Sequence, residues 1–106
     1  GGVAIPAHPY QGGLNGCKLG DGVYRLKGLV ALETINGSLN ETENLRARAA
    51  AEKMGLKGSG GSDAHGIHVL GSAYTCFPAP ITCEADLVAA LRKSDYFPRR
   101  HPGAHS

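Results

Sequence analysis

Two short stretches carry side chains that could do chemistry together. In Gly60-Gly61-Ser62-Asp63-Ala64-His65 an acid and an imidazole stand two residues apart. On an extended chain, side chains recur on one face every second residue. Asp63 and His65 would then offer a hard oxygen and a borderline nitrogen to one divalent ion. The paired glycines let the backbone turn sharply and leave room beside the two groups. His8, followed by Pro9 at the end of an apolar run, is a third candidate ligand. Alone, Asp-x-His also describes a polar turn after a strand, with Asp63 as a turn or cap residue. What decides is how the surrounding elements place these groups.

Residues 3–7 are apolar and bounded by turn signals, which suits a buried strand whose first part pairs, because Pro6 has no N–H to donate. Residues 11–28 are rich in Gly, Asn, Lys and Asp and read as a surface loop, with at most one short turn of helix. Residues 29–35 predict a second strand, stopped by Asn36-Gly37, and Glu33 near its end reads as a paired acid at the sheet rim or as a ligand. Asn40-x-x-Glu43 is a capping box opening a helix. Ala47, Ala50, Ala51 and Met54 form its packing face, Gly55 its C-cap, and Arg46, Arg48, Glu52 and Lys53 its solvated side. Residues 56–62 predict a third strand leading into Asp63, and residues 72–77 a fourth, ended by Pro78 and Pro80. Thr82 is placed to cap a second helix that buries Leu87, Val88 and Leu91. Residues 94–97 close that unit, so residues 1–98 read as the domain and 99–106, with His101 and His105, as a flexible tail.

The order β, loop, β, α, β, β, α predicts an α/β fold with a parallel sheet and crossover helices. In such folds chemistry gathers at the C-terminal ends of the strands. His8, Asp63 and His65 all fall at such ends. That convergence favours a metal site over the plainer reading, in which both histidines are hydrogen-bonding residues of a soluble α/β domain.

The remaining features mostly exclude. A formal charge of +2 over 106 residues is too small to imply a nucleic-acid or membrane surface. No apolar run approaches the ~18 residues of a membrane span, and there is no basic-then-apolar leader. Cys17, Cys76 and Cys83 are odd in number and form no Cys-x-x-Cys, against both a disulfide framework and a zinc cage, so the reducing cytoplasm is the expected setting. The sequons at Asn36 and Asn40 read as turn and cap chemistry. A chain that opens Gly-Gly and enters a strand at once reads as a fragment of a longer protein.

Four blocks together resemble a known family. They are Val3-Ala4-Ile5-Pro6-Ala7-His8-Pro9, Ala31-Leu32-Glu33-Thr34-Ile35-Asn36-Gly37, Gly60-Gly61-Ser62-Asp63-Ala64-His65 and Gly71-Ser72-Ala73-Tyr74-Thr75. In order and rough spacing they resemble the C-terminal half of the PHP (polymerase and histidinol phosphatase) superfamily, over about residues 2–98. The nearest likeness is to its stand-alone bacterial phosphoesterases, which include nucleotide phosphatases and small-RNA exonucleases. The resemblance implies the C-terminal part of a distorted (β/α)7 barrel, with two or three divalent ions (Mn, Zn or Fe) at its C-terminal face. It implies His8, Asp63 and His65 as metal ligands, Asp63 also orienting the attacking water, and a substrate contact at Asn36. It leaves Glu33 structural and gives His68 no role. The expected activity is metal-dependent hydrolysis of phosphate esters.

The family's opening His-x-His, a following Asp, another His and a ligand Glu have no counterpart in this sequence. The chain alone is therefore expected to be catalytically silent, and to self-associate through exposed half-barrel edges. The competing expectation is a non-catalytic binding or regulatory module of PHP-like form.

Overall fold

Asn40 begins the longer of the two described α-helices. Its side chain accepts from the Glu43 N–H at 2.8 Å, and its own N–H donates to Glu43 Oε1 at 3.2 Å, so the predicted capping box is present. The computed structural model describes residues 2–12 and 19–102. The loop reading over residues 13–18, Cys17 included, and the tail reading over 103–106, His105 included, lie outside the described residues. Helix α1 (Glu41–Met54) ends at Gly55, whose φ of 68° is the left-handed cap that glycine adopts without a Cβ clash. Ala47, Ala50 and Ala51 are buried along its inner face.

This helix crosses between β1 (Ala31–Asn36) and β2 (Lys57–Gly61), which pair in parallel. The unit is a βαβ crossover. Leu32 of β1 is fully buried against Val23, Ala50 and Ala51. Val23 comes from a 3-10 turn, Gly20–Arg25, within the segment read as loop. Residues 3–7 are not a strand. They make one parallel bridge, Ala4 to Leu29, and Pro6 O accepts from the Glu33 N–H at 3.2 Å. The prolines keep this segment from a full ladder, yet it lies along β1 and delivers His8 to the end of that strand.

The second sheet is antiparallel, pairing β3 (Ala73–Cys76) with β4 (Phe97–Arg100). Helix α2 (Glu84–Lys93) connects them, with Cys83 rather than Thr82 at its N-cap position. Thr82 instead donates from both its N–H and its hydroxyl to Asp86 Oδ2, at 3.2 and 2.7 Å. Of the predicted stripe Leu91 is buried, Val88 half-buried and Leu87 exposed. Leu91 packs with Ala31 and Tyr96, a second apolar cluster on the other side of β1. Arg99 and Arg100, assigned to the tail, pair with Tyr74 and Ala73 as the last residues of β4.

The expected barrel is not there. Among the described residues the strands form two separate two-stranded sheets, one parallel and one antiparallel, with two α-helices. This is not a (β/α)7 PHP barrel or a run of one. The antiparallel β3–β4 pair breaks the strict strand–helix–parallel-strand repetition that a barrel requires. The sheets meet instead at Gly60, whose N–H donates to Thr75 Oγ1 at 2.8 Å while the Thr75 hydroxyl donates to Gly60 O at 2.9 Å. A Cβ at Gly60 would collide with the Tyr74 carbonyl oxygen, so glycine sets this close approach.

Candidate functional site

The C-terminal ends of the 3–7 segment, β1 and β2 lie side by side. From them project His8, Asn36 and Asp63. The register of β1 on β2 explains how. Ala31, Leu32 and Glu33 stand opposite Lys57, Gly58 and Ser59, and then Ile35 stands opposite Gly60, leaving Thr34 as an extra residue. Such a bulge re-aims the side chains that follow it. Glu33 and Asn36, three apart, would face opposite sides of an unbroken strand. Here Asn36 Nδ2 donates to Glu33 Oε1 at 2.8 Å and to Asp63 Oδ2 at 3.3 Å.

Glu33 Oε1 also accepts the backbone N–H of His8 at 2.9 Å. His8 has φ of 29° and Asp63 φ of 51°, both in the region that non-glycine residues seldom adopt. Each turns at the point where its strand or segment ends. Ser38 holds the second turn: its hydroxyl lies 2.8 Å from the carbonyl oxygens of both Ser62 and Asp63. Asn44 of α1 fixes Asn36 from behind, accepting from its N–H at 3.0 Å and donating to its carbonyl at 3.1 Å. Asn36 is fully buried, so this pairing satisfies both of its backbone polar groups.

The two imidazoles flank the Asp63 carboxylate. His8 Nε2 lies 4.0 Å from Oδ2 and His65 Nδ1 lies 4.0 Å from Oδ1. His8 and Asp63 are about three-quarters covered, while the His65 side chain is 87% exposed. His65 Nδ1 is also 2.9 Å from the Asp63 carbonyl oxygen. A carbonyl can only accept, so that bond requires the proton on Nδ1 and leaves the Nε2 lone pair outward. A metal-ligating histidine is prepared in the same way, with its other nitrogen donating to an oxygen.

The donor types therefore fit a divalent ion of the Mn, Zn or Fe kind. The set is small, however. Among the described residues no group of three His, Cys, Asp or Glu side chains is close enough to hold an ion. The Asp63 carboxylate has a histidine ring nitrogen 4.0 Å from each of its oxygens.

The structure brings together His8, Asn36 and Asp63, with His65 at the rim. His68 lies in a second 3-10 turn, Ile67–Val69, its ring folded over Gly66, where a Cβ would come within 2.9 Å of His68 Cε1. Sequence reasoning passed over Glu33, Ser38 and Asn44 as site residues. Glu33 reads from the sequence as a rim acid or a ligand, and the resemblance leaves it structural; the irregularity that turns it toward Asn36 shows only in the structure. Ser38 and Asn44 carried a usable signal: short polar side chains just after a strand end and in a first helical turn commonly bond to nearby backbone.

A family model described as PHP-associated matches residues 41–96. The match covers more than half of the chain. The chain belongs to the PHP-associated family. No curated protein and no solved structure matches it. The matched region holds Asp63, His65 and His68, and stops short of His8, Glu33 and Asn36. The PHP relationship expected from the four blocks is thus shown on its C-terminal portion. No helix among the described residues is long and apolar enough to cross a membrane.

Proposed function

We propose that this PHP-associated chain supplies part of the metal centre of a phosphoesterase. One observation carries the reading: Asp63 offers its two carboxylate oxygens to two imidazoles, one on each side, at 4.0 Å. A structural aspartate at a turn needs no such pairing. His8 and Asp63 would hold one divalent ion, with His65 reaching it or a neighbouring ion through Nε2. A bound divalent ion supplies Lewis-acid activation of water and offsets charge on a phosphoryl group. The chain's own residues do the rest. Asn36 keeps Asp63 in place with one N–H of its amide, at 3.3 Å. Asp63, partly open to solvent, orients a water for attack at phosphorus. The substrates we propose are nucleotide or small-RNA phosphate esters, in a cytoplasmic setting, and further ligands to the ions come from outside the described residues.

The chain alone is then expected to be inactive as a phosphatase. Self-association also belongs to the proposal, and sedimentation velocity at rising concentration checks it. The lack of a three-residue ligand group among the described residues favours a second reading, a PHP-associated module without catalysis. Elemental analysis separates the two. Bound Mn, Zn or Fe in the purified chain, reduced in both His8→Ala and Asp63→Ala, is the expected result. Metal content that both substitutions leave unchanged would sink the ligand assignment.

A further inference from the structure

The carboxylate of Glu33 sits at the centre of the cluster but faces neither imidazole within ion-pair distance. We propose that Glu33 is a positioning residue for this site, fixing His8 through its backbone N–H and Asp63 through the amide of Asn36. The inference rests on the reading of His8 and Asp63 as metal ligands, and it gives the bulge at Thr34 a purpose.

Three observations carry it. One oxygen, Oε1, takes both the His8 N–H at 2.9 Å and Asn36 Nδ2 at 2.8 Å. Bonds from N–H groups to an ionised carboxylate are roughly twice as strong as neutral ones. The same Asn36 amide continues to Asp63 Oδ2 at 3.3 Å, so the chain His8 N–H, Glu33, Asn36, Asp63 is continuous. Room for the second oxygen is provided across the ladder: a Cβ at Gly61, the partner of Asn36, would lie 3.0 Å from Glu33 Oε2. These contacts oppose two unfavourable backbone states. Residues held in sparsely populated φ regions cost about 1–3 kcal/mol each and persist where the surroundings enforce them. The His8 N–H bond is one such enforcement at a residue with φ of 29°.

The alternative is that Glu33 merely closes the end of β1. The two roles differ in what moves when the carboxylate is removed. A closing residue would affect stability alone. A positioning residue changes the ligands it holds.

The test is a Co²⁺ titration followed by visible absorption, together with amide hydrogen exchange, on the wild-type chain and on Glu33→Ala, Glu33→Gln, His8→Ala and Asp63→Ala. We expect Glu33→Ala to weaken Co²⁺ binding by about tenfold or more, the range seen when partners of metal ligands are lost. The His8 amide should exchange about tenfold faster, as loss of one hydrogen bond of ordinary strength predicts. The Gly60 amide, bonded to Thr75, should stay as it is. Glu33→Gln keeps the shape and one accepting oxygen, so a smaller loss is expected, and this variant carries the test if Glu33→Ala does not fold. Weaker Co²⁺ binding in His8→Ala and Asp63→Ala, with both Glu33 variants equal to wild type, overturns the positioning role and leaves the ligand reading intact. If the wild-type chain, which holds only part of the proposed ligand set, binds no Co²⁺, the metal arm offers no comparison. The His8 amide then decides for Glu33 by itself: faster exchange in the variants upholds its hold on His8, and unchanged exchange ends the proposal.

Discussion

The two halves of the molecule are built from similar parts and held in different ways. In the first half, α1 crosses between parallel strands, and its ends are closed by a full capping box and a left-handed glycine. Leu32 is fully enclosed there by Val23, Ala50 and Ala51. In the second half, α2 joins antiparallel strands, has no side-chain bond at its N-cap, and ends on Ser94 with φ of 61°, a conformation less comfortable for serine than for glycine. Its largest buried aliphatic, Leu91, keeps 8% exposure. The parallel half aligns the strand ends that carry His8, Asn36 and Asp63. The antiparallel half acts as a buttress, pressed on β2 at Gly60. The difference is one of finish: the helix of the parallel half is capped at both ends over a fully closed core, and that of the antiparallel half is not.

Core truncation should break the symmetry between the halves most strongly. Leu32→Ala is expected to cost about 3–5 kcal/mol and Leu91→Ala about 2, because the first leaves a cavity on all sides and the second opens toward solvent. Urea unfolding of both variants checks this, and equal losses would contradict the asymmetry. Next comes the joint between the sheets. Thr75→Val removes both bonds to Gly60 and strands a backbone N–H, for about 1–3 kcal/mol. The same variant should speed amide exchange at Gly60 without altering α1.

The helix termini sharpen the comparison further. Asn40→Ala should cost about 1 kcal/mol through loss of the capping box. The start of α2 depends instead on Thr82 and Asp86. The Thr82 hydroxyl, then its N–H, then the Cys83 side chain hold the Asp86 carboxyl below the ordinary aspartate value of 3.8. A carboxyl lowered in the folded state contributes stability that is present above the unfolded value and lost as pH falls through the folded one. The smallest effect follows: helix α2 should loosen only below that value. In a carboxyl NMR titration Asp86 should have a depressed midpoint, and Thr82→Val should raise it. An unchanged midpoint in that variant would remove Thr82 as the cause.

Local signals in the sequence were read well because their physics is local. Asn40, Glu43 and Gly55 determine their own conformations within four residues, and α1 has the expected ends. The position of His8 and Asp63 at element ends was also legible, since apolar runs stop where they must turn. The barrel was not in the residues at all; it came from the resemblance, and the antiparallel pairing of β4 on β3 excludes it. Strand β4 was missed because Phe97-Pro98-Arg99-Arg100 has a proline and two charges, a composition that an end strand tolerates and a central one does not. Thr82 was expected to cap α2 by accepting a backbone N–H, but it precedes the cap position and donates to Asp86 instead. The bulge at Thr34 had no signal, because a β-branched residue is as acceptable in a regular ladder as in an interrupted one. Without it, Glu33 and Asn36 could not be seen to share a face.

Strand β2, Lys57-Gly58-Ser59-Gly60-Gly61, has the weakest composition of any strand here. Each of its glycines is nevertheless occupied ground: a methyl group would strike Thr34 Oγ1 at Gly58 and the Tyr74 carbonyl at Gly60, and at Gly61 would sit tightly, 3.0 Å from the Glu33 carboxylate. For mutational tolerance this inverts the usual expectation. The segment that a propensity scale would rate most open to improvement is the one where drift toward better strand formers is blocked. Replacing its glycines with valine would improve the strand on paper and dismantle the contacts on both sides of it.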